Sequence, residues 1–120
     1  MKNKTLVLGA SEKPDRYSNM AIIKLLNHNH EVVAVGNKDG MVKTVPIVKE
    51  WVNTPDIDTV TLYLNPQNQQ PYYDYILSLQ PRRIIFNPGT ENTELERMAI
   101  KKGIDTIEAC TLVLLSTGQY

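Results

Sequence analysis

The stretch "TLVLGASEKPDRYSN", residues 5–19, indicates which fold the chain adopts. It begins as a short apolar run, breaks at Gly9 and continues through a loop of small and polar residues that contains Pro14. From Ser18 the pattern becomes helical, with Ser18 or Asn19 as the expected cap and a broad apolar face. A buried strand that ends at glycine and leads into a helix is typical of the first unit of an alternating α/β domain.

The remainder of the chain continues this alternation of strands and helices. Apolar and β-branched runs predict strands over residues 31–36, 58–65 and 104–109, and residues 82–89 predict a further strand together with the loop that follows it. Helical patterns follow at 66–80, at 91–103 and at the C-terminus. The least regular segment predicts a turn, a short extended piece around 43–45 and a short helix near 47–53.

These elements together predict a single α/β domain over residues 1–120. Strands that alternate with helices of this length imply a mostly parallel sheet with helices on both faces. We therefore expect a Rossmann-like, doubly wound sheet of five strands in the order 3-2-1-4-5, within a three-layer α/β/α architecture.

Composition excludes several classes of function. The 13 basic and 13 acidic residues balance, so no basic field indicates binding to nucleic acid or to an anionic membrane. The single cysteine excludes an intrachain disulfide and a cysteine-based zinc site, and it fits a reducing cytoplasm. No apolar run approaches the roughly 20 residues that cross a bilayer. We expect a cytoplasmic protein with no metal site.

Four loops at the carboxyl ends of the predicted strands are the candidate ligand site. In sheets of this class a ligand lies beyond those ends, where the strand order reverses. In the first loop Gly9 permits a sharp turn, and the amides around Ala10 and Ser11, with the Ser18–Asn19 end of the helix, could face a pyrophosphate. Loops of this composition also occur where only a turn is needed, so both interpretations stay open.

The end of the second strand bears on which nucleotide would bind. An NAD site usually has an acidic residue there, which accepts hydrogen bonds from the adenosine ribose. Here the strand ends "AVGNKDG", with Lys38 before Asp39. A lysine at this position suits a ribose that carries its own phosphate, as in NADP or coenzyme A, although this residue taken alone favours a solvated turn.

Five segments in order resemble a known family. They are "VLGASEKPDRYSNMAIIKLL", "HEVVAVGNK", "IDTVTLYLNP", "RRIIFNPGTENTELERMAIKKGI" and "IEACTLVLL". This series resembles the small stand-alone coenzyme A-binding domain proteins, relatives of the nucleotide-binding domain of the succinyl-CoA synthetase α subunit. The resemblance implies a Rossmann-like domain that binds coenzyme A and has no established catalytic machinery of its own.

The resemblance also implies roles for residues near the first strand. Gly9, Ala10 and Ser11 would line the pyrophosphate loop, and Ser18 would lie at the start of the first helix.

The loops after the next three strands would complete the implied site. Asn37 and Lys38 would approach the adenosine ribose and its 3′-phosphate. Asn65 and Pro66 would border the path of the adenine or of the pantetheine. The loop toward the thiol end would be formed by Pro88, Gly89 and Thr90.

Three functions remain open at this point. The leading prediction is a binding module for coenzyme A or an acyl-CoA. The second is an enzyme that uses NADP or a coenzyme A thioester, with Asn65, Asn87 or Cys110 supplying the chemistry. The third is an α/β interaction domain without a ligand. It would form a homodimer through a partly exposed aromatic patch, which comprises Tyr72, Tyr73 and Tyr75.

Overall fold

Seven strands form one sheet in the computed structural model, which describes residues 4–51 and 53–120. The strands are β1 (Lys4–Leu8), β2 (Val32–Val35), β3 (Gly40–Val42), β4 (Val45–Val48), β5 (Ile57–Leu62), β6 (Arg83–Phe86) and β7 (Asp105–Glu108). The helices are α1 (Tyr17–Asn27), α2 (Pro66–Gln69), α3 (Tyr73–Ser78), α4 (Thr93–Lys101) and α5 (Thr111–Ser116). Within the described ranges, no helix has both the length and the apolar character needed to span a membrane.

The sheet is mostly parallel, as expected, but the predicted number and order of strands are wrong. The order is β3-β4-β2-β1-β5-β6-β7, and only the β3–β4 pair is antiparallel. The strand predicted at 58–65, observed as β5, pairs with β1 rather than lying outside β2. The position next to β2 is taken by β4, which comes from the segment that showed no regular pattern.

The segment over residues 40–48 is a hairpin instead of a turn followed by a helix. The predicted extended piece around 43–45 falls largely on its turn, where Lys43 has a φ of 55°. The helix predicted near 47–53 is wrong, because Ile47 and Val48 pair with β2; residue 52 lies outside the described residues. Pro46 obscured this strand in the sequence. It is tolerated because β2 pairs only with the two residues that follow it, so no hydrogen bond to β2 is lost.

Helices cover both faces of the sheet, which gives the three layers that the sequence predicts. Leu6 and Leu8 of β1 belong to a buried cluster with residues of α3 and α4. Val7, between them, belongs to a second cluster with residues of α1 and α5. Successive side chains of a strand point to opposite faces, so the consecutive residues of β1 from Leu6 to Leu8, which are covered on both faces, are all apolar. Burial of each such side chain contributes roughly 1.5–3 kcal/mol to folding.

The helix predicted over 66–80 is interrupted. A 3-10 turn at Gln70–Tyr72 separates α2 from α3, at the position of Pro71, which has no amide hydrogen to continue an α-helix. Asn65 caps α2 through its Oδ1 atom, which accepts a hydrogen bond of 2.9 Å from the Asn68 amide. The break redirects the chain, so Tyr72 lies beside the carboxyl end of the sheet.

The start of α1 also differs from the prediction. The N-cap is Arg16, which makes no side-chain capping hydrogen bond, and both Ser18 and Asn19 lie inside the helix and are buried. The Asn19 side chain instead donates to the Ser11 carbonyl oxygen at 3.0 Å. It therefore ties the helix to the loop that precedes it.

Candidate functional site

A cleft of about 880 Å³ opens at the carboxyl ends of the central strands. Strand order reverses there, since β2 and β5 lie on opposite sides of β1. The cleft brings together ten of the eleven residues singled out in the sequence: Gly9, Ala10, Ser11, Ser18, Asn37, Lys38, Asn65, Pro88, Gly89 and Thr90. Pro66 does not line it and occupies the first position of α2.

The loop after β1 is held tightly against its neighbours. Gly9 has a φ of 96°, and a Cβ atom there would lie 3.0 Å from the carbonyl group of Tyr63. The Gly9 and Ala10 amides both donate to the Val35 carbonyl oxygen, at 2.9 and 3.0 Å. The Ala10 amide is therefore already bonded within the sheet and is not a free donor for a phosphate.

The available backbone donors lie at the start of α1 instead. Within residues 4–51 and 53–120, the Tyr17 and Ser18 amides have no hydrogen-bond acceptor. Both residues line the cleft. The first turn of a helix also carries the positive end of its dipole, so this corner of the cleft favours an anion.

The charged side chains of the cleft reinforce this preference. Lys13, Arg16 and Lys38 line it together with one carboxylate of the described residues, that of Glu12. Glu12 is held at the edge of the sheet, because its Oε2 atom accepts a 2.9 Å hydrogen bond from the Met41 amide. Three cations against one tethered anion suit a ligand with several negative charges. Lys13 and Arg16 are exposed loop residues, and apart from their charge no sequence pattern indicates a role for them in the site.

Asn87 is buried, does not line the cleft, and uses its side chain in structural hydrogen bonds. Its Nδ2 atom donates to Thr61 Oγ1 at 2.6 Å and to the Leu62 carbonyl oxygen at 2.9 Å. Its Oδ1 atom accepts from the Thr111 amide at 2.9 Å. The residue is 2 % exposed. These bonds join β5, β6 and α5, so the Asn87 amide has no free group with which to contact a substrate.

Gln69 is a second buried polar link that sequence reasoning missed. Its Nε2 atom donates to the carbonyl oxygens of Leu64 and Thr90, at 2.7 and 2.8 Å. Its Oε1 atom accepts from Asn92 at 2.9 Å, and Asn92 in turn caps α4 through the Leu95 amide. Gln69 thus fixes the two cleft loops that follow β5 and β6. In the sequence it is one of three glutamines in a short polar run, which hides its burial.

Tyr63 forms part of the cleft wall near Cys110. Its hydroxyl oxygen is buried and makes no hydrogen bond within the described residues. Burial raises the pKa of Tyr63 to about 12, and the nearby Thr61 and Thr111 hydroxyls offset only part of that rise. Cys110 is a free, partly buried thiol at the N-cap of α5 and is not among the residues lining the cleft.

Aromatic side chains line the side of the cleft next to β4. Trp51 and Tyr72 both line it, with their ring centroids 4.8 Å apart. Tyr75 lies behind Trp51 at 5.8 Å. The sequence predicted a partly exposed aromatic patch of tyrosines, and Tyr72, Tyr73 and Tyr75 are partly buried and pack against the core. Among the described residues, no group of three His, Cys, Asp or Glu side chains is arranged to hold a metal ion.

Comparison with known proteins places the chain among uncharacterised relatives of the same fold. A family model described as "CoA binding domain" matches residues 3–116. A crystal structure of an uncharacterised protein is 49% identical, with a TM-score of 0.97, and the match covers 100% of this chain and 99% of that one. No curated protein matches.

Two more distant structures share the fold. A hypothetical protein from Pyrococcus horikoshii OT3 is 24% identical with a TM-score of 0.87, and the match covers 97% of this chain and 83% of that one. A protein from Thermus thermophilus is 18% identical with a TM-score of 0.85, over 99% and 91% of the two chains.

Proposed function

Because the chain belongs to the CoA-binding domain family, we propose that it is a stand-alone, Rossmann-like binding module for coenzyme A or an acyl-CoA. The observation that supports this most strongly is the cleft at the strand-order reversal, where free α1 amides and three cationic side chains meet. Its volume of about 880 Å³ falls within the range of small-molecule sites. The residues present therefore fit a large polyphosphorylated ligand.

The proposed contacts follow from the placement of charge. The pyrophosphate lies at the start of α1, against the Tyr17 and Ser18 amides and the Arg16 side chain. Lys38, at the end of β2, meets the ribose 3′-phosphate. Asn37 approaches the ribose, and the loop of Pro88, Gly89 and Thr90 borders the arm that carries the thiol.

A thermal-shift screen supported by calorimetry tests this proposal. The ligands are coenzyme A, acetyl-CoA, NADP, NAD and ATP. A ligand present at one hundred times its Kd adds about 2.7 kcal/mol of stability, which raises the Tm of a domain of this size by about 10 °C. We expect that response to coenzyme A and acetyl-CoA. A response to NAD with none to coenzyme A would refute the proposal.

The enzyme alternative has less support from the residues named for it. The Asn87 amide is fully bonded, and the Asn65 Oδ1 atom is occupied in capping α2. Turnover of NADP or of a coenzyme A thioester by the purified protein would favour an enzyme.

A cytoplasmic location and a homodimer remain part of our proposal. Light scattering of the purified protein measures the oligomeric state.

A further inference from the structure

Trp51 has an unusual environment for the largest apolar side chain of the protein. It is 49% exposed, although it contacts Tyr72 and Tyr75. Its exposed part faces the cleft, which Tyr72 also lines, whereas Tyr75 does not line the cleft and supports Trp51 from behind. Water contact with so large an aromatic surface is unfavourable, so a flat apolar group that covered it would be stabilised.

The position of Trp51 and Tyr72 along the sheet indicates which part of a bound nucleotide these two side chains would contact. Trp51 follows β4 by three residues, and β4 is the parallel neighbour of β2. The Gly36 amide donates to the Val48 carbonyl oxygen at 3.0 Å, so the chain leaves β4 beside the end of β2. Asn37 and Lys38 occupy that end and line the same cleft. The aromatic pair therefore lies on the adenosine side, across the sheet from the loop after β6.

We propose that Trp51 and Tyr72 form a stacking wall for the purine ring of the bound nucleotide. This inference rests on the proposed function, since it assigns one part of the same ligand. Bases stack on aromatic side chains largely irrespective of their identity, because every base presents a π-face. The wall thus selects for an adenine-bearing ligand over one that carries only the pantetheine arm.

The protein contains a single tryptophan, so its fluorescence reports on Trp51 alone. Titration with coenzyme A and with adenosine 3′,5′-bisphosphate is expected to change the emission, whereas 4′-phosphopantetheine is expected to leave it unchanged. Calorimetry with Trp51→Leu should show coenzyme A affinity about five- to a hundredfold weaker. Trp51→Phe, which keeps an aromatic face, should recover most of the loss.

The control is Ile100→Ala, which truncates an exposed apolar side chain of α4 outside the cleft and is expected to leave affinity unchanged. Circular dichroism and Tm confirm that each variant is folded. If Trp51→Leu bound coenzyme A as tightly as the wild type, or if the Leu and Phe variants bound it equally weakly, the stacking wall would be overturned. The proposal that the protein binds coenzyme A would be unaffected by either result. Failure of the wild type to bind coenzyme A at all would overturn both proposals.

Discussion

Gly36 approaches Ala10 so closely that a Cβ atom built on Gly36 would lie 2.4 Å from the Ala10 carbonyl oxygen. This contact joins the end of β2 to the loop after β1, and the hydrogen bonds of the Gly9 and Ala10 amides to Val35 run beside it. The close approach of these two loops, which carry charged groups of the cleft, therefore requires a residue without a Cβ atom at position 36.

We expect Gly36→Ala to push the loop after β1 away from β2. The clash is with backbone, which cannot rotate aside, so the free energy of unfolding should fall by about 1–3 kcal/mol. Urea denaturation measures this loss, and coenzyme A affinity should fall with it. Gly40→Ala is the comparison variant, because a Cβ there would meet the Glu12 side chain, which can rotate away at the cost of its hydrogen bond to the Met41 amide. A cost in Gly40→Ala as large as that in Gly36→Ala would contradict this explanation.

Gln69→Leu should destabilise the protein although it replaces a polar side chain by an apolar one in a buried position. It leaves the Leu64 and Thr90 carbonyl oxygens without their donor, and each unsatisfied buried group costs about 1–3 kcal/mol. We expect a total loss of about 2–4 kcal/mol by urea denaturation, with faster amide hydrogen exchange at Gly89 and Thr90. Gln67→Leu, an exposed neighbour on α2, should change neither quantity. Unaltered exchange in Gln69→Leu would show that the loops are held by other contacts.

Lys38→Ala should weaken binding only when the ligand carries a 3′-phosphate. Lys38 is exposed, so water screens its charge and the loss of affinity for coenzyme A should be a few-fold, or up to roughly 1 kcal/mol. Calorimetry with dephospho-coenzyme A, which lacks that phosphate, should give equal affinities for the variant and the wild type. Lys101→Ala, an exposed lysine of α4, is the charge-matched control. An equal loss with both ligands would place Lys38 elsewhere on the nucleotide.

The raised pKa of Tyr63 predicts a stability loss in alkaline solution. The folded protein holds this proton up to a pKa of about 12, whereas an unfolded tyrosine loses it near pH 10. The stabilisation from this group is therefore complete below about pH 10 and disappears as the pH rises toward 12. Over that range the free energy of unfolding should fall by at most about 1.4 kcal/mol per pH unit.

Tyr63→Phe isolates this contribution from those of the other tyrosines. The difference in unfolding free energy between wild type and variant should be constant from about pH 7 to 9. It should then shift in favour of the variant above about pH 10. Urea denaturation across this range measures the shift. A difference that stays constant up to pH 11.5 would contradict the assigned burial.

The strand–loop–helix units could be predicted from local patterns. The unbroken apolar run of β1, its end at Gly9 and the acidic start and basic end of α4 are properties of neighbouring residues, and they define elements wherever the chain folds. The order of the strands could not be predicted in the same way. It depends on the pairing of β4 with β2, and Pro46 makes β4 resemble a loop in the sequence.

The candidate site likewise has features that local sequence patterns predict and features that depend on long-range contacts. Local sequence patterns were enough to predict which loops border the cleft, because parallel strands carry their carboxyl ends to one edge, and ten of the eleven chosen residues do line it. Which groups are free to bind depends on contacts that form only on folding. Hydrogen bonds across strands occupy the Ala10 amide and the Asn87 side chain, and they leave the α1 amides open. Likewise, Trp51 and Tyr72 are 21 positions apart in the chain, and their rings meet at the cleft only after folding. Such long-range contacts leave no pattern among neighbouring residues of the sequence, because they depend on how the whole chain folds.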